Sequence, residues 1–245
     1  MAGMKWGCVI LAGDDGVPLA PGLPPKPLIE FAGRPSVAWV YEAVSHVETV
    51  VVGVDGVSQH VGGRFVPQVG GAVDNMKAGL AALGPCDGVL MIPSDSPFLS
   101  RADIEGFCAF IEGRMPGPDW YAIGLCPMTT FVEKFPAVPV SGVRTRQGRM
   151  ASSSLWALSP QTFPRAEAMI RELRESRKSQ IGLVRKMGLW NLIRFLTGLT
   201  TLQQAEHALT SAAGAPVLLD SNSSPESCLD FDDLADLAAL QKLPR

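Results

Sequence analysis

Val89-Leu90-Met91-Ile92-Pro93-Ser94-Asp95-Ser96-Pro97 is the stretch that decides the fold. A short apolar run ends abruptly in a single carboxylate followed by a proline. Such a run fits a strand buried on both faces of a parallel sheet. The carboxyl end of that kind of strand is where open α/β sheets place ligands. A carboxylate there suits Mg²⁺, and Mg²⁺ in turn suits a triphosphate. Asp95 also suits plainer work, as a helix N-cap or as a turn residue before proline.

Working outward, the same grammar repeats. Residues 6–11 form an apolar run that stops at Ala12-Gly13-Asp14-Asp15-Gly16. A strand running into a glycine loop opens many nucleotide-binding α/β units. Pro and Gly persist to Lys26-Pro27, and a turn follows at Ala32-Gly33-Arg34-Pro35. Residues 36–47 place Val37, Val40, Tyr41 and Val44 on one helical face. Residues 49–54 are β-branched and read as a strand. Gly70-Gly71 breaks the chain before a helix over 75–83. The 88–92 strand precedes a helix over 101–112. Alternation of strand and helix predicts an α/β fold with a three-layer, doubly wound, mostly parallel sheet.

After Gly113 the pattern loosens. Strands are expected over 120–125, 151–159 and 216–219, and a helix over 202–212. Residues 163–199 read as helical and basic, with eight Lys and Arg against three Glu. Its apolar face (Leu183, Met187, Trp190, Ile193, Leu196) suits packing on the domain or a homodimer contact through 163–199. The other use of that face is a membrane surface. A final helix is expected to begin in Asp230-Phe-Asp232-Asp233-Leu-Ala-Asp236. The expectation is one domain over 1–245, with 131–215 as a helical insertion on the acceptor side.

Composition narrows the classes. With 47% hydrophobic and 18% charged residues among 245, the chain is globular material. A formal charge of −3 does not suit a dedicated nucleic-acid binder. Five scattered cysteines without CxxC spacing suit buried residues in a reducing compartment, so neither a disulfide frame nor a zinc site is expected. No secretory leader pattern and no apolar run of membrane-spanning length is present, so the expected location is cytoplasmic.

Three elements could carry chemistry. Backbone N–H groups at Leu11, Ala12 and Gly13 can cradle phosphates. Lys26, stiffened by neighbouring prolines, can neutralise a phosphate as a point charge. Asp95 and the tail acids can share a metal, although Asp at a helix start also serves as an ordinary cap. His46, His60 and His207 show no metal or triad spacing.

These residues, in this order, resemble the MobA-like NTP transferases. Val9-Ile-Leu-Ala-Gly13 and Lys26-Pro-Leu-Ile-Glu-Phe-Ala-Gly33-Arg-Pro35 resemble that family's opening. Pro93-Ser-Asp95-Ser-Pro97 resembles its metal-binding Asp-x-Pro, and the tail from Asp230 resembles its closing acidic motif. The resemblance implies a GT-A-type, Rossmann-like nucleotidyltransferase of the EC 2.7.7 type. Such an enzyme moves an NMP unit from an NTP to a small phosphorylated or cofactor-like acceptor and releases pyrophosphate. It implies Lys26 and Asp95 as catalytic residues, and Leu11, Ala12, Gly13, Lys26, Asn75 and Gly79 around the nucleotide. Mg²⁺ would be held by Asp95 with Asp230 or Asp232. Two departures stand out. Asp14 and Asp15 occupy the loop, and no arginine lies between Gly13 and Lys26. Ser152-Ser153-Ser154 stands where some relatives carry Gly-Gly-Asn. The loop departures motivate one alternative, a nucleotide-binding regulator without turnover; the shared fold and metal leave a second, a glycosyltransferase using a nucleotide sugar, which an Asp-x-Asp at the strand end would favour over the Asp95-Ser96-Pro97 found there.

Overall fold

The computed structural model describes residues 3–14, 16, 18–114, 117–165, 167 and 200–245. Asp15 and nearly all of the basic 163–199 stretch lie outside them, and with them the dimer and membrane-surface expectations placed there. Ten strands occur among the described residues. They are β1 Trp6–Ala12, β2 Glu30–Phe31, β3 Arg34–Pro35, β4 Glu48–Gly53, β5 Arg64–Pro67 and β6 Gly88–Pro93, followed by β7 Tyr121–Pro127, β8 Gly142–Thr145, β9 Gly148–Leu158 and β10 Val217–Asp220. The helices are α1 Ser36–Val44, α2 Ala72–Ala82, α3 Arg101–Arg114, α4 Met128–Lys134, α5 Leu202–Ala213 and α6 Leu234–Leu240.

The main sheet runs β10-β7-β9-β6-β1-β4-β5, with β8 added to β9. β9 lies antiparallel between β6 and β7, and the remaining path is parallel. The fold is therefore α/β with a mostly parallel sheet, as the alternation of elements predicts. Within 131–215, β9 is woven into the middle of this sheet. β5, α4 and β8 were not expected from the sequence.

Alternation along β1 sorts the core into two layers. Cys8, Ile10 and Ala12 face α1 and α3 with Val37, Val40, Val44, Ile104, Phe107 and Ile111. Val9 faces the other way, onto Val73, Val50 and Val52, with Met76, Leu80 and Leu209 packed against them. Gly79 serves this second layer: a Cβ there would collide with the Val9 side chain. α2 therefore sits directly on β1 only because position 79 carries no side chain.

A third apolar cluster gathers where the end of β7 pairs with the start of β9, around Cys126 and Ala151. Ile29, Phe31, Phe98, Cys126, Phe131, Cys228, Leu229, Phe231, Leu237 and Leu240 are all buried in it. Its entry segment is the tight β2–β3 hairpin, in which Glu30 pairs with Pro35 and Phe31 with Arg34. Both linking residues take positive φ, Ala32 at 48° and Gly33 at 76°. Paired positive φ values match the twist of a two-residue hairpin.

Candidate active site

Register places the site. β1 and β6 are adjacent and parallel, with Leu11 opposite Pro93, and Ser94 N donates to Leu11 O at 3.1 Å. The Gly13 loop and the Asp95 turn therefore leave the sheet side by side at its carboxyl edge. Beside them opens a cleft of about 960 Å³. Leu11, Gly13, Asp14, Lys26, Gly70, Asn75, Pro93 and Asp232 line it together with Asp233, Leu234 and Ala235 at the start of α6.

Lys26 ties the two acidic segments together. Its Nζ lies 3.0 Å from Asp232 Oδ1 and 3.9 Å from Asp95 Oδ2. Asp95 is 21% exposed, yet its Oδ1 is buried and accepts no hydrogen bond. Burial pushes the Asp95 carboxyl up to about 7, and the negative Asp230 and Asp232 add to the push against the pull of Lys26. Asp230 is raised as well, first by desolvation and then by Asp232. Asp230 keeps solvent-accessible area, so its desolvation comes from protein mass around a concave site and not from full enclosure. Three carboxylates thus crowd one lysine, and the most enclosed of them has an oxygen to spare.

The third apolar cluster explains how three distant segments reach one place. Phe31 follows Lys26 closely, Phe98 follows Asp95, and Phe231 stands between Asp230 and Asp232. Phe31 stacks at 5.3 Å from Phe231 and 6.2 Å from Phe98, and Lys26 Nζ lies 5.9 Å from the centre of the Phe231 ring. Each charged segment drops one phenylalanine into a common core, so packing fixes the spacing of the charges. Asp233 takes the capping role open to the tail acids, accepting from Ala235 N and Asp236 N to start α6. Asp236 Oδ2 in turn accepts from Asp232 N at 3.1 Å, which holds the Asp232 backbone in place.

Other expected site residues divide. Gly13 lines the cleft, and a Cβ there would meet Asn75 Nδ2 at 2.7 Å. Asn75 is buried, and its amide is spent on the chain before α2. Oδ1 accepts from Val69 N at 2.9 Å and Nδ2 donates to Gly70 O at 3.1 Å. Its side chain shapes the Gly70-Gly71 wall from behind. Ala12 is fully buried and its carbonyl accepts from Val54 N, which leaves it beneath the cleft. Gly79 does not line the cleft; it is the contact between α2 and β1. Asp14 turns its carboxylate onto Gly16 N at 3.0 Å, while Gln68 Oε1 accepts from Asp14 N at 2.8 Å. One of the two loop acids is therefore engaged with the loop's own backbone.

The three serines at the Gly-Gly-Asn position lie on β9. Ser154 hydrogen-bonds Ser96, next to Asp95, and Ser153 Oγ accepts from Leu155 N at 3.0 Å. Both hydroxyls are buried, and only Ser152 is exposed. Ser154 braces the Asp95 turn from below and does not offer itself to an acceptor.

These residues fit a hydrated Mg²⁺. Among the described residues no three His, Cys, Asp or Glu side chains are grouped so as to hold a metal by themselves. Mg²⁺ does not need that, because it keeps several waters and takes one or two carboxylates plus substrate phosphates. The unpartnered Asp95 Oδ1 beside two further carboxylates is a donor set of that hard, all-oxygen kind.

Comparison with known proteins agrees with the geometry. The family model of the MobA-like NTP transferase domain matches residues 8–121. The match covers the Gly13 loop, Lys26, Asn75 and Asp95, and it ends as β7 begins. Along the whole chain, a hypothetical transferase from Thermus thermophilus is 25% identical with a TM-score of 0.82, covering 96% of this chain and 100% of that one. A CMP:2-keto-3-deoxy-manno-octonic acid synthetase complexed with CTP is 17% identical with a TM-score of 0.57, covering 97% of both chains. A 2-C-methyl-D-erythritol 4-phosphate cytidylyltransferase, also from Thermus thermophilus, is 15% identical with a TM-score of 0.52, covering 95% of this chain and 96% of that one. The last two share the fold. No curated protein sequence matches the chain. Among the described residues no helix is long and apolar enough to cross a membrane.

Proposed function

We propose that this MobA-like protein is a Mg²⁺-dependent nucleotidyltransferase. It transfers an NMP unit from an NTP to a small phosphorylated or cofactor-like acceptor and releases pyrophosphate. The observation that carries the reading is Asp95 at the carboxyl end of β6, its Oδ1 buried without a hydrogen-bond partner and its carboxyl close to the charges of Asp230, Asp232 and Lys26.

The chemistry needs no side-chain nucleophile. An oxygen of the acceptor attacks the α-phosphorus in line, the bond to the bridging oxygen of the β-phosphate breaks, and pyrophosphate leaves with that oxygen. Charge grows on the leaving pyrophosphate, so catalysis is positioning plus electrostatic stabilisation. Asp95 with Asp230 or Asp232 would hold Mg²⁺, which supplies charge neutralisation across the phosphates. Lys26 rests between Asp95 and Asp232, and an arriving phosphate competes with those carboxylates for its Nζ. Gly13 lines the cleft, and a triphosphate there would compete with Gln68 Oε1 and Asp14 Oδ1 for the loop N–H groups of Asp14 and Gly16. Asn75 holds the Gly70-Gly71 wall and so the shape offered to the rest of the nucleotide. The names of the structural neighbours make CTP a donor worth testing first.

The experiment is pyrophosphate release with Mg²⁺ and each of the four NTPs against a panel of phosphorylated small molecules. Release that needs one NTP and disappears in Asp95→Ala supports the reading. Silence with every NTP, together with NTP binding that ignores Mg²⁺ and survives Asp95→Ala, overturns it in favour of a nucleotide-binding regulator.

A further inference from the structure

Residues 134–166 contain no Asp or Glu, yet Arg144, Arg146 and Arg149 crowd into a short part of that stretch. The chain folds this part into the β8–β9 hairpin. Its register sets Arg144 directly opposite Arg149, and Arg146 and Gln147 make the turn between Thr145 and Gly148. Directly opposed residues of an antiparallel pair share one face, with Cβ atoms roughly 5 Å apart, and like charges there oppose the pairing. All three arginines are exposed, and among the described residues no carboxylate forms an ion pair with any of them. Arg34, Arg101, Arg114 and Arg165, by contrast, each pair with a carboxylate.

The repulsive pair is held in place. Thr145 Oγ1 donates to Gly148 O at 2.7 Å across the turn. Arg146 N donates to Thr200 O at 3.0 Å, and Gln147 Oε1 accepts from Leu202 N at 3.2 Å at the start of α5. Both anchors are distant in sequence, so the turn is pinned to the body of the domain. β9 runs antiparallel to β6 and β7, which puts its first residues at the same carboxyl edge as the cleft. Arg149 lies just beyond Met150, which pairs with Pro127 at the end of β7. Five residues further along β9, roughly 16 Å of strand, Ser154 hydrogen-bonds Ser96 beside Asp95.

We propose that Arg144 and Arg149 form a clamp for a phosphate group. A phosphate between two guanidinium groups accepts N–H donors from both and turns their repulsion into shared attraction. Arg146 at the turn adds a third positive charge. In the transfer reaction proposed above, on which this assignment rests, the clamp holds the end of the acceptor away from the attacking oxygen. The acceptor is then an extended molecule whose far end carries a phosphate roughly 16 Å from the reacting end.

The test uses the full chain in EDTA without nucleotide, with inorganic phosphate as the probe against chloride at equal ionic strength. Arginines are modified with phenylglyoxal and mapped by mass spectrometry. Phosphate is expected to slow modification of Arg144 and Arg149 roughly fivefold or more, and to leave the carboxylate-paired Arg34 and Arg101 unaffected. Phosphate should also raise the melting midpoint by roughly 2–4 °C. The double variant Arg144→Gln, Arg149→Gln abolishes that rise, and in chloride it melts no lower than the parent because the like-charge pair is gone. No protection, equal protection of all four arginines, or a phosphate rise that survives in the double variant would overturn the clamp. The transferase reading fails on a different result, the absence of Mg²⁺-dependent NTP binding. Where pyrophosphate release is found, the double variant should raise the KM of a phosphorylated acceptor roughly tenfold and leave that of the NTP unchanged. An unchanged acceptor KM would overturn the clamp's place in the reaction.

Discussion

Asp95 and Asp232 carry the same side chain into the same site, yet they arrive in opposite conditions. Asp95 leaves a strand buried on both faces, and its Oδ1 has no partner. Asp232 sits on a loop with 81% of its side chain exposed and a lysine at 3.0 Å. One carboxylate is costly to hold as a charge and the other is cheap. For the proposed reaction, the difference teaches where binding energy for a cation would be stored. The sheet supplies a desolvated acceptor, and the tail supplies an adjustable one that already has a counter-ion.

The largest expected effect breaks the Asp95 side of this comparison. Asp95→Ala lowers the rate of pyrophosphate release about a thousandfold or more, because it removes the electrostatic anchor of the reacting phosphates. Asp232→Ala costs far less, since Asp230 remains. Equal losses in the two variants, read from initial rates at saturating Mg²⁺, would erase the distinction.

Packing comes next. Phe231 is fully buried and holds the tail acids against Phe31. Phe231→Ala should destabilise the fold by roughly 3–5 kcal/mol, measured by urea denaturation. The loss of nucleotide affinity should exceed that of Asp232→Asn, because both tail carboxylates lose their placement.

A smaller effect follows from the carboxyl of Asp95, raised from 3.8 to about 7. The folded protein holds this proton more tightly than the unfolded chain does. As pH rises from about 4 the unfolded chain releases its proton while the folded protein keeps it to about 7, so stability falls across that window and then levels. Metal-free Asp95→Asn lacks this loss and should exceed the parent at pH 8 by roughly 2–4 kcal/mol. The two should converge near pH 4, and Mg²⁺ should narrow the gap at pH 8. Parallel urea-derived stabilities for parent and variant across pH 4–8 in EDTA would contradict the assignment.

The smallest effect belongs to Asp232. Its ion pair with Lys26 is largely solvated, so Asp232→Asn should change stability by less than about 1 kcal/mol. A thermal melt that drops by many degrees would show the tail acid to be structural and not an adjustable ligand.

The sequence announced the sheet wherever an apolar run was bounded by glycine or proline, as in β1 and β6. It hid β5, where only Phe65 and Val66 separate Arg64 from Pro67, and it hid β8, whose Val143 alternates with exposed Arg144. Lys26, Asp95, Asp230 and Asp232 stand out in the sequence as candidates because a charge beside an apolar run is conspicuous, and the structure brings them close together. Gly79 was misplaced because a glycine needed for helix–strand contact looks, in a sequence, like one needed for a ligand. The roles of the serines of β9 were not legible for a related reason: spacing does not say which way a hydroxyl turns. The Phe31–Phe98–Phe231 trio was invisible, since nothing local in a sequence says which distant apolar residues will share one cluster.

The central claim is that Asp95 makes nucleotide binding metal-dependent. Calorimetric titration of the chain at pH 7.5 with CTP and then with the other NTPs, each with Mg²⁺ and with EDTA, tests it without knowing the acceptor. The account predicts that one NTP binds the parent at least tenfold more tightly with Mg²⁺ than with EDTA, and that Asp95→Ala abolishes the difference. Equal affinity with and without Mg²⁺ in the parent, or a Mg²⁺ effect that persists in Asp95→Ala, would contradict it.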